Sequence, residues 1–397
     1  MPNSTLSTQH LTLSAQLTTL DVKGLRRTRR TLDSAQSVHV IVDGKQYLAF
    51  CSNDYLGLAN HPELIAAAQA GAARFGVGAG ASHLVLGHAR AHEQLEENLA
   101  AFVGLPRALL FSTGYMANLG VVTALLGRDD AVFADRLNHA SLNDACLLAR
   151  AQFKRFAHND VAQLERLLVD SKAKRKLIVV DAVFSMDGDI APVPELLALA
   201  ERYDAWLLLD DAHGFGVLGA GGRGVLEHFN LSHQRVIYMA TLGKAAGVFG
   251  AFVAGENTLI ETLMQRARTY IYTTAMPPLL ACAVSKSVEL IAAGASLRKQ
   301  LNENIIQLKH TLTNGLPEGW QLLPSHTAIQ PLIIGDNRAA TTVADKLATR
   351  GILAPAIRPP TVPQGTARLR ISLSAAHTPD DVRVLGDALI AAGKEIS

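Results

Sequence analysis

Cysteine is scarce in this 397-residue chain, and the three present, Cys51, Cys146 and Cys282, are scattered without a Cys-x-x-Cys spacing. That argues against both a disulfide framework and a cysteine zinc site, and predicts three small buried hydrophobes instead. An excess of one charge is lacking too. Lys and Arg number 37 against 35 Asp and Glu, so nothing electrostatic points to nucleic acid. No apolar run approaches the ~20 residues that a membrane span requires. The Ser- and Thr-rich start, Met1 to Leu20, has neither the cationic opening nor the apolar block of a signal peptide, so a cytoplasmic protein is expected. Repeats, low-complexity tracts and long linkers are likewise missing.

What is present is length and alternation. About half the residues are apolar and 18% are charged, the balance of a globular protein long enough for two domains. Apolar runs at Ala108–Phe111, Ala131–Phe133, Leu177–Val180, Trp206–Asp210, Val236–Ala240 and Ala251–Ala254 read as strands. Helix-like stretches at Ala91–Val103, Tyr115–Leu126, Ser141–Ala149, Val161–Asp170 and Val193–Tyr203 lie between them, with Asn159-Asp160 capping the fourth. Strands apolar throughout indicate a sheet covered on both faces, and the alternation makes it mainly parallel. After Pro277-Pro278 comes a long helical stretch from Leu279 to about Leu316. Mixed segments follow at Ala328–Ile334, Thr341–Arg350, Ala367–Leu373 and Thr378–Ala392. The expected organisation is an N-terminal arm (residues 1–50), a large domain (51–278) and a small C-terminal domain (279–397) that the arm joins. Gly76-Val-Gly-Ala-Gly80 invites a dinucleotide reading, but it follows no strand in a compact βαβ unit. It reads better as a glycine turn beside an active site.

Four segments carry chemistry. The run Trp206-Leu-Leu-Leu ends in Asp210-Asp-Ala-His213, where ligands of open parallel sheets bind. Asp210 can pair with a ring nitrogen, although Asp211 or Asp210 could equally cap a loop; His213 can reach the same ring or a backbone carbonyl. Lys244 follows the strand Val236–Ala240 and is flanked by Gly243, Ala245, Ala246 and Gly247, which let a planar ligand approach the amine. Desolvation there lowers a lysine pKa, whereas an ordinary lysine would snorkel to solvent. Ser112-Thr-Gly-Tyr115 joins a strand to a helix start, a phosphate-binding arrangement in which Gly114 permits close approach and Thr241 adds a hydroxyl. His139 can stack on an aromatic ring or merely cap a helix. A lysine for a Schiff base with a carboxylate for a pyridinium nitrogen suits pyridoxal 5′-phosphate (PLP).

In this order the motifs resemble the α-oxoamine synthases, a branch of the fold-type I PLP enzymes related to aspartate aminotransferase. The markers are Ser52-Asn-Asp-Tyr-Leu-Gly57, Phe111-Ser-Thr-Gly-Tyr115, Asp135-Arg-Leu-Asn-His139, Val183-Phe-Ser-Met-Asp-Gly-Asp189, Asp210-Asp-Ala-His-Gly214 and Thr241-Leu-Gly-Lys244. The resemblance implies an α/β fold, with a mainly parallel seven-stranded sheet sandwiched by helices and a smaller α+β C-terminal domain. It makes Lys244 the Schiff-base amine, Asp210 the partner of the pyridine nitrogen and His139 the stacking ring. Ser185 and His213 then contact the cofactor oxygen or the substrate, and Gly114, Tyr115 and Thr241 the phosphate. A homodimer with its active site between subunits is implied as well.

Ala356-Ile-Arg-Pro-Pro-Thr-Val-Pro363 and Gly365-Thr-Ala-Arg-Leu-Arg370 resemble the branch that joins L-alanine to a pimeloyl thioester, carried by coenzyme A or an acyl carrier protein. Arg368 and Arg370 fall on one strand face, where a guanidinium can grip a carboxylate or simply meet solvent. The resemblance favours Arg370 for the amino acid, adds Asn53 and Thr361 to the substrate site and assigns Arg26 to the acyl group. Arg26 begins a five-residue basic cluster whose ordinary role is a solvated patch. The alternatives are a sister synthase using glycine or serine, an aminotransferase, and a non-catalytic PLP-binding regulator.

Overall fold

A computed structural model describes residues 8–22, 26–313 and 315–396; residues 1–7 and 23–25 of the expected arm lie outside the described residues. Its centre is a seven-stranded sheet of β1 (Arg107–Phe111), β2 (Ala131–Asp135), β3 (Gln152–Phe156), β4 (Lys176–Asp181), β5 (Ala205–Asp210), β6 (Val236–Thr241) and β7 (Ala251–Gly255). The order across the sheet is β1-β7-β6-β5-β4-β2-β3, and β7 runs antiparallel to both its neighbours. The other pairings are parallel. Six strands coincide with apolar runs in the sequence. The seventh, β3, reads Gln-Phe-Lys-Arg-Phe because it is an edge strand that is only partly covered.

Alternate residues of each inner strand serve opposite faces. Phe133, Ile178, Leu207 and Tyr238 enter one apolar core, and Val132, Leu177, Leu208 and Ile237 enter the other. This two-sided burial is why the strands read as unbroken apolar runs. Since β1, β2, β4, β5 and β6 share one direction, Phe111, Asp135, Asp181, Asp210 and Thr241 end at one edge of the sheet. Two helices begin there, α1 (Gly114–Leu125) and α2 (Ala140–Leu148). Thr113 caps α1, its Oγ1 accepting from the Met116 N–H at 3.2 Å. The cap expected at Asp160 is also present, its Oδ1 accepting from the Gln163 N–H at 2.8 Å.

The stretch expected as one long helix is two, Pro278–Ala293 and Ala295–Thr313, which meet at 70° around Gly294. Glycine weakens a helix interior and favours its end. Among the described residues no single helix is long and apolar enough to cross a membrane. The C-terminal third holds an antiparallel sheet ordered Gln321–Leu322, Ile329–Gly335, Ala367–Ser372, Ala356–Ile357. The hairpin His39–Val42 and Lys45–Ala49 takes Ile352–Leu353 as a parallel third strand, tying the arm to this unit. The thiols correct one expectation: Cys146 is buried, but Cys282 is only half-buried and Cys51 is exposed.

Candidate active site

The shared strand edge and the two helix starts enclose a cleft of about 190 Å³. β5 delivers Asp210, whose Oδ2 accepts from Asn118 Nδ2 at 2.7 Å and whose Oδ1 accepts from the Ala212 N–H at 3.1 Å. Asp211 has separate work. It is fully buried, and its Oδ2 accepts from the Val225 N–H at 2.7 Å and the Tyr238 hydroxyl at 2.8 Å. Burial pushes the Asp211 carboxyl up to about 7. Two adjacent acids that the sequence leaves interchangeable thus become a cleft carboxylate and a loop anchor.

The turn after β6 carries Lys244, whose Nζ lies 2.9 Å from Nε2 of His213. Burial lowers the Lys244 pKa to about 8, against the opposing pull of Asp210 and Asp181. About a tenth of the amine is therefore neutral at pH 7, far more than in an ordinary lysine, and nucleophilic or general-base lysines need that neutral form. The other His213 nitrogen, Nδ1, lies 2.7 Å from the Tyr55 hydroxyl. Burial, and then the charges of Lys244 and Arg370, hold the His213 pKa well below its ordinary range, so the ring is neutral.

His139 lines the cleft and also caps α2, so its two expected roles are compatible. Its N–H donates to Asp181 Oδ2 at 2.9 Å, and its Nδ1 meets Ser141 Oγ at 2.8 Å. Asn118 Nδ2 donates to the same Ser141 Oγ at 2.9 Å, which links His139 to Asp210 through two neutral side chains. Burial, followed by the charge of Asp210, raises the Asp181 pKa well above the usual carboxylate range. Gly114 and Tyr115 open α1 at the cleft wall. A Cβ on Gly114 would make ordinary contact with Met239 and Thr241 at 3.8–3.9 Å, so the space there does not itself demand glycine. The Tyr115 hydroxyl bonds Asp144, and Thr241 Oγ1 donates to the Gly250 carbonyl at 3.1 Å.

Both arginines of the strand Ala367–Ser372 are buried, which overturns the solvent-facing alternative. Arg368 pairs with Asp187 at 2.7 Å and donates to the Met186 carbonyl, fastening the loop that carries Ser185. Arg370 Nε donates to the Ser185 carbonyl at 2.6 Å, and Nη1 and Nη2 each approach Asn53 Oδ1 at 3.3 Å. The turn Ser52–Gly57 is held against this strand's end: the Ser374 hydroxyl donates to the Asp54 carbonyl and the Ala375 N–H to that of Tyr55. Lys244, His213, Tyr55, Asn53 and Arg370 consequently form one continuous line of contacts.

Four expected residues do not line the cleft: Arg370 and Asn53 reach it only through the Ser185 carbonyl and Tyr55, and Arg26 and Thr361 stand apart from it. Arg26 is exposed and pairs with Asp21 at 2.6 Å, and Thr361 lies exposed in the loop after Arg358. The turn at Gly76–Gly80 does not line the cleft either. Conversely, Asp181, Asn118, Ser141 and Tyr55 belong to the site but were not singled out. Asp181 ends an apolar run just as Asp210 does, but the apolar residues of that strand, Leu177–Val180, stop one position before it. Asn118 falls one helical turn beyond Gly114, which places both on one face.

The family model for aminotransferases of class I and II matches residues 45–389. The 8-amino-7-oxononanoate synthase of Nitrosospira multiformis is 65% identical over 367 residues, 92% of each chain. Among solved structures, an 8-amino-7-oxononanoate synthase from Francisella tularensis aligns with a TM-score of 0.76 at 31% identity, over 88% of this chain and 98% of its own. A serine palmitoyltransferase of S. paucimobilis with bound PLP–myriocin aligns at 0.91 with 30% identity, over 99% of both chains. The chain belongs to the 8-amino-7-oxononanoate synthase family. It is a PLP-dependent acyltransferase with the fold-type I architecture.

The residues fit that cofactor on their own terms. A depressed amine and a strand-end carboxylate open on one cleft, whose wall also includes the start of α1 at Gly114 and Tyr115. Asp181 Oδ1, buried at the same place, has no hydrogen-bond partner among the described residues.

Proposed function

We propose that this cleft condenses L-alanine with the pimeloyl group of a thioester, giving 8-amino-7-oxononanoate, carbon dioxide and a free thiol for biotin synthesis. The observation that carries the proposal is the meeting of Lys244, Asp210 and His213 in one cleft, to which the Arg370–Asn53 pair is joined through the Ser185 carbonyl and the Tyr55 hydroxyl. The 65% identity to a protein of that name supports the choice of branch.

When bound, PLP supplies an aldehyde that takes up amines and a protonated ring that draws electrons from Cα. Asp210, oriented by Asn118, would hold the proton on the ring nitrogen. His139 would pack on the ring, and Ser185 and His213, which line the same cleft, would meet its oxygen. The first-turn amides of Gly114 and Tyr115, with Thr241, would hold the phosphate. Arg370 and Asn53 grip the alanine carboxylate, a task suited to the planar guanidinium fork. Lys244 Nζ, unprotonated above pH about 8, takes the Cα proton and later returns one. His213 Nε2, 2.9 Å away, orients that amine. Neither Arg26 nor Thr361 reaches the cleft of its own chain, so we assign both to the acyl side of a site shared in a cytoplasmic homodimer.

The test is mass-spectrometric identification of the product from alanine, glycine or serine with pimeloyl-coenzyme A and with pimeloyl-acyl carrier protein. Alanine should give 8-amino-7-oxononanoate with at least one carrier. Preference for glycine or serine would assign a sister synthase. Amino-group transfer without carbon dioxide would make it an aminotransferase. No turnover despite bound PLP would leave a regulatory binding protein.

A further inference from the structure

Arg368 has no part in the chemistry proposed above and does not line the cleft, yet its side chain is only 4% exposed. Its guanidinium meets the segment that follows β4. That segment doubles back as a hairpin, closed by a bridge between Val183 and Ile190 and by the Phe184 N–H donating to the Asp189 carbonyl at 3.0 Å. At its tip lie Ser185, Met186, Asp187 and Gly188. Ser185 lines the cleft, and its hydroxyl has no hydrogen-bond partner among the described residues.

The backbone of the tip is held instead from the C-terminal third of the chain. Three of its four carbonyls accept from there. Ser185 accepts from Arg370 Nε at 2.6 Å, and Met186 from Arg368 Nη1 at 3.1 Å. Gly188 accepts from Ser325 Oγ at 2.8 Å and Thr327 Oγ1 at 3.0 Å. Asp187 adds the charged contact, its Oδ1 accepting from Arg368 Nη1 at 2.7 Å. Gly188 has a φ of +71°, and a Cβ there would lie 2.5 Å from the Ile329 carbonyl, so this close approach requires glycine. Arg368 is itself fixed by Thr366, whose carbonyl and hydroxyl accept from Nε at 3.1 Å and Nη2 at 3.2 Å. A guanidinium fork held in this way dictates the position of the groups it binds.

We propose that Arg368 is a positioning residue: through Asp187 and the Met186 carbonyl it sets where the Ser185 hydroxyl stands in the cleft. The inference rests on the role proposed for Ser185 toward the ring oxygen of PLP. A hydroxyl that donates to this oxygen draws electron density from it, which weakens its hold on a proton at the Lys244 nitrogen joined beside it. Losing or displacing the hydroxyl therefore raises the pH at which the Lys244-linked visible absorbance titrates.

The test titrates that absorbance in the PLP-loaded wild type, Ser185→Ala, Asp187→Ala and Arg368→Met. The titratable and charged groups facing the Lys244 nitrogen are Asp210, Asp181, Asp211, Arg370, His213 and His139, and these variants keep all six. Charge alone predicts opposite signs for Asp187 and Arg368. Deleting the carboxylate would lower the midpoint, and deleting the cation would raise it. Displacement of Ser185 instead raises the midpoint in all three variants, by about half a pH unit or more. Ser185→Ala combined with Asp187→Ala should rise no further than Ser185→Ala alone. A lowered or unmoved midpoint in Asp187→Ala, or a shift that adds in full to that of Ser185→Ala, overturns the proposal. Asp187 is 24% exposed, so its truncation still decides the matter should Arg368→Met fail to fold. An unmoved midpoint in Ser185→Ala would sink the role given to Ser185 and this proposal with it, while product formation from alanine would still decide the condensation.

Discussion

Two regions of this molecule bring histidines together, and they use the nitrogens in opposite ways. His83, His88 and His92 place one nitrogen each within 4.8 Å of the others, a spacing that suggests a metal. Their nitrogens are largely spent. Nδ1 of His83 meets Nδ1 of His88 at 2.9 Å, so a proton lies between them, and His88 Nε2 meets Glu93 at 3.0 Å. His92 Nε2 donates to the Met276 carbonyl at 2.7 Å, and its Nδ1 accepts the Ala89 N–H at 2.9 Å. A metal needs bare nitrogens converging on one point. In the cleft, His139 and His213 instead stand beside a depressed lysine, a carboxylate and open space. Proximity of titratable groups is common to both regions; room for a ligand beside them belongs to the cleft.

The comparison breaks first at Lys244. Lys244→Ala should still bind PLP through its other contacts but without the Schiff-base absorbance, and turnover should fall by about 10⁴-fold or more. Turnover close to wild type would move the chemistry elsewhere. Asp210→Asn comes next, with a loss of about 10²–10³ in the exchange rate of the alanine Cα proton, read by deuterium incorporation. The same variant should lower the pH midpoint at which Lys244 captures PLP. The Asp210 charge favours the ammonium form, and removing it lets the amine appear at lower pH. An upward shift would contradict the sign of that interaction.

These assignments were unevenly legible in the sequence, for physical reasons. Strands buried on both faces announce themselves as apolar runs, so six strand positions and the lysine and acids that follow them could be found. The polar edge strand β3 could not. Asp210 and Asp211 look alike in sequence, and only the paths of Asn118 and Tyr238 across the fold separate them. Arg368 and Arg370 were correctly placed on one face, but that face is buried because the Ser185 loop crosses it. Tyr55 lies 158 positions from His213, and no local pattern announces that contact. Arg26 and Thr361 rest on resemblance, and this chain keeps both away from its own cleft.

The histidine trio gives the sharpest control for the cleft. His92→Leu should leave the Met276 carbonyl and the Ala89 N–H unpaired in a buried site, at about 1–3 kcal/mol for each orphaned group. Urea unfolding should show a loss of about 2–4 kcal/mol, with the folded fraction retaining wild-type turnover. A stable but inactive His92→Leu would mean that the trio belongs to the chemistry after all.

The smallest effect is a slope with pH. Burial, and then His92 and His88, push the His83 pKa down to about 3 from an ordinary 6.5. Between these values the unfolded chain binds a proton there and the folded chain does not, so this residue's contribution falls as the pH drops through the window. At full effect the loss is about 1.4 kcal/mol per pH unit. Glu96 lines the pocket beside the trio and burial raises it to about 8, which gives the opposite slope between about 4.5 and 8. The wild-type curve alone would therefore partly conceal His83. The informative quantity is the stability difference between wild type and His83→Phe, in which the phenyl ring can keep the stacking on Tyr270. That difference should be flat above pH 7 and move against the wild type from pH 6.5 down to 3. A flat difference across the acid range would show that His83 binds its proton in the fold, and that this trio is not the closed network its distances describe.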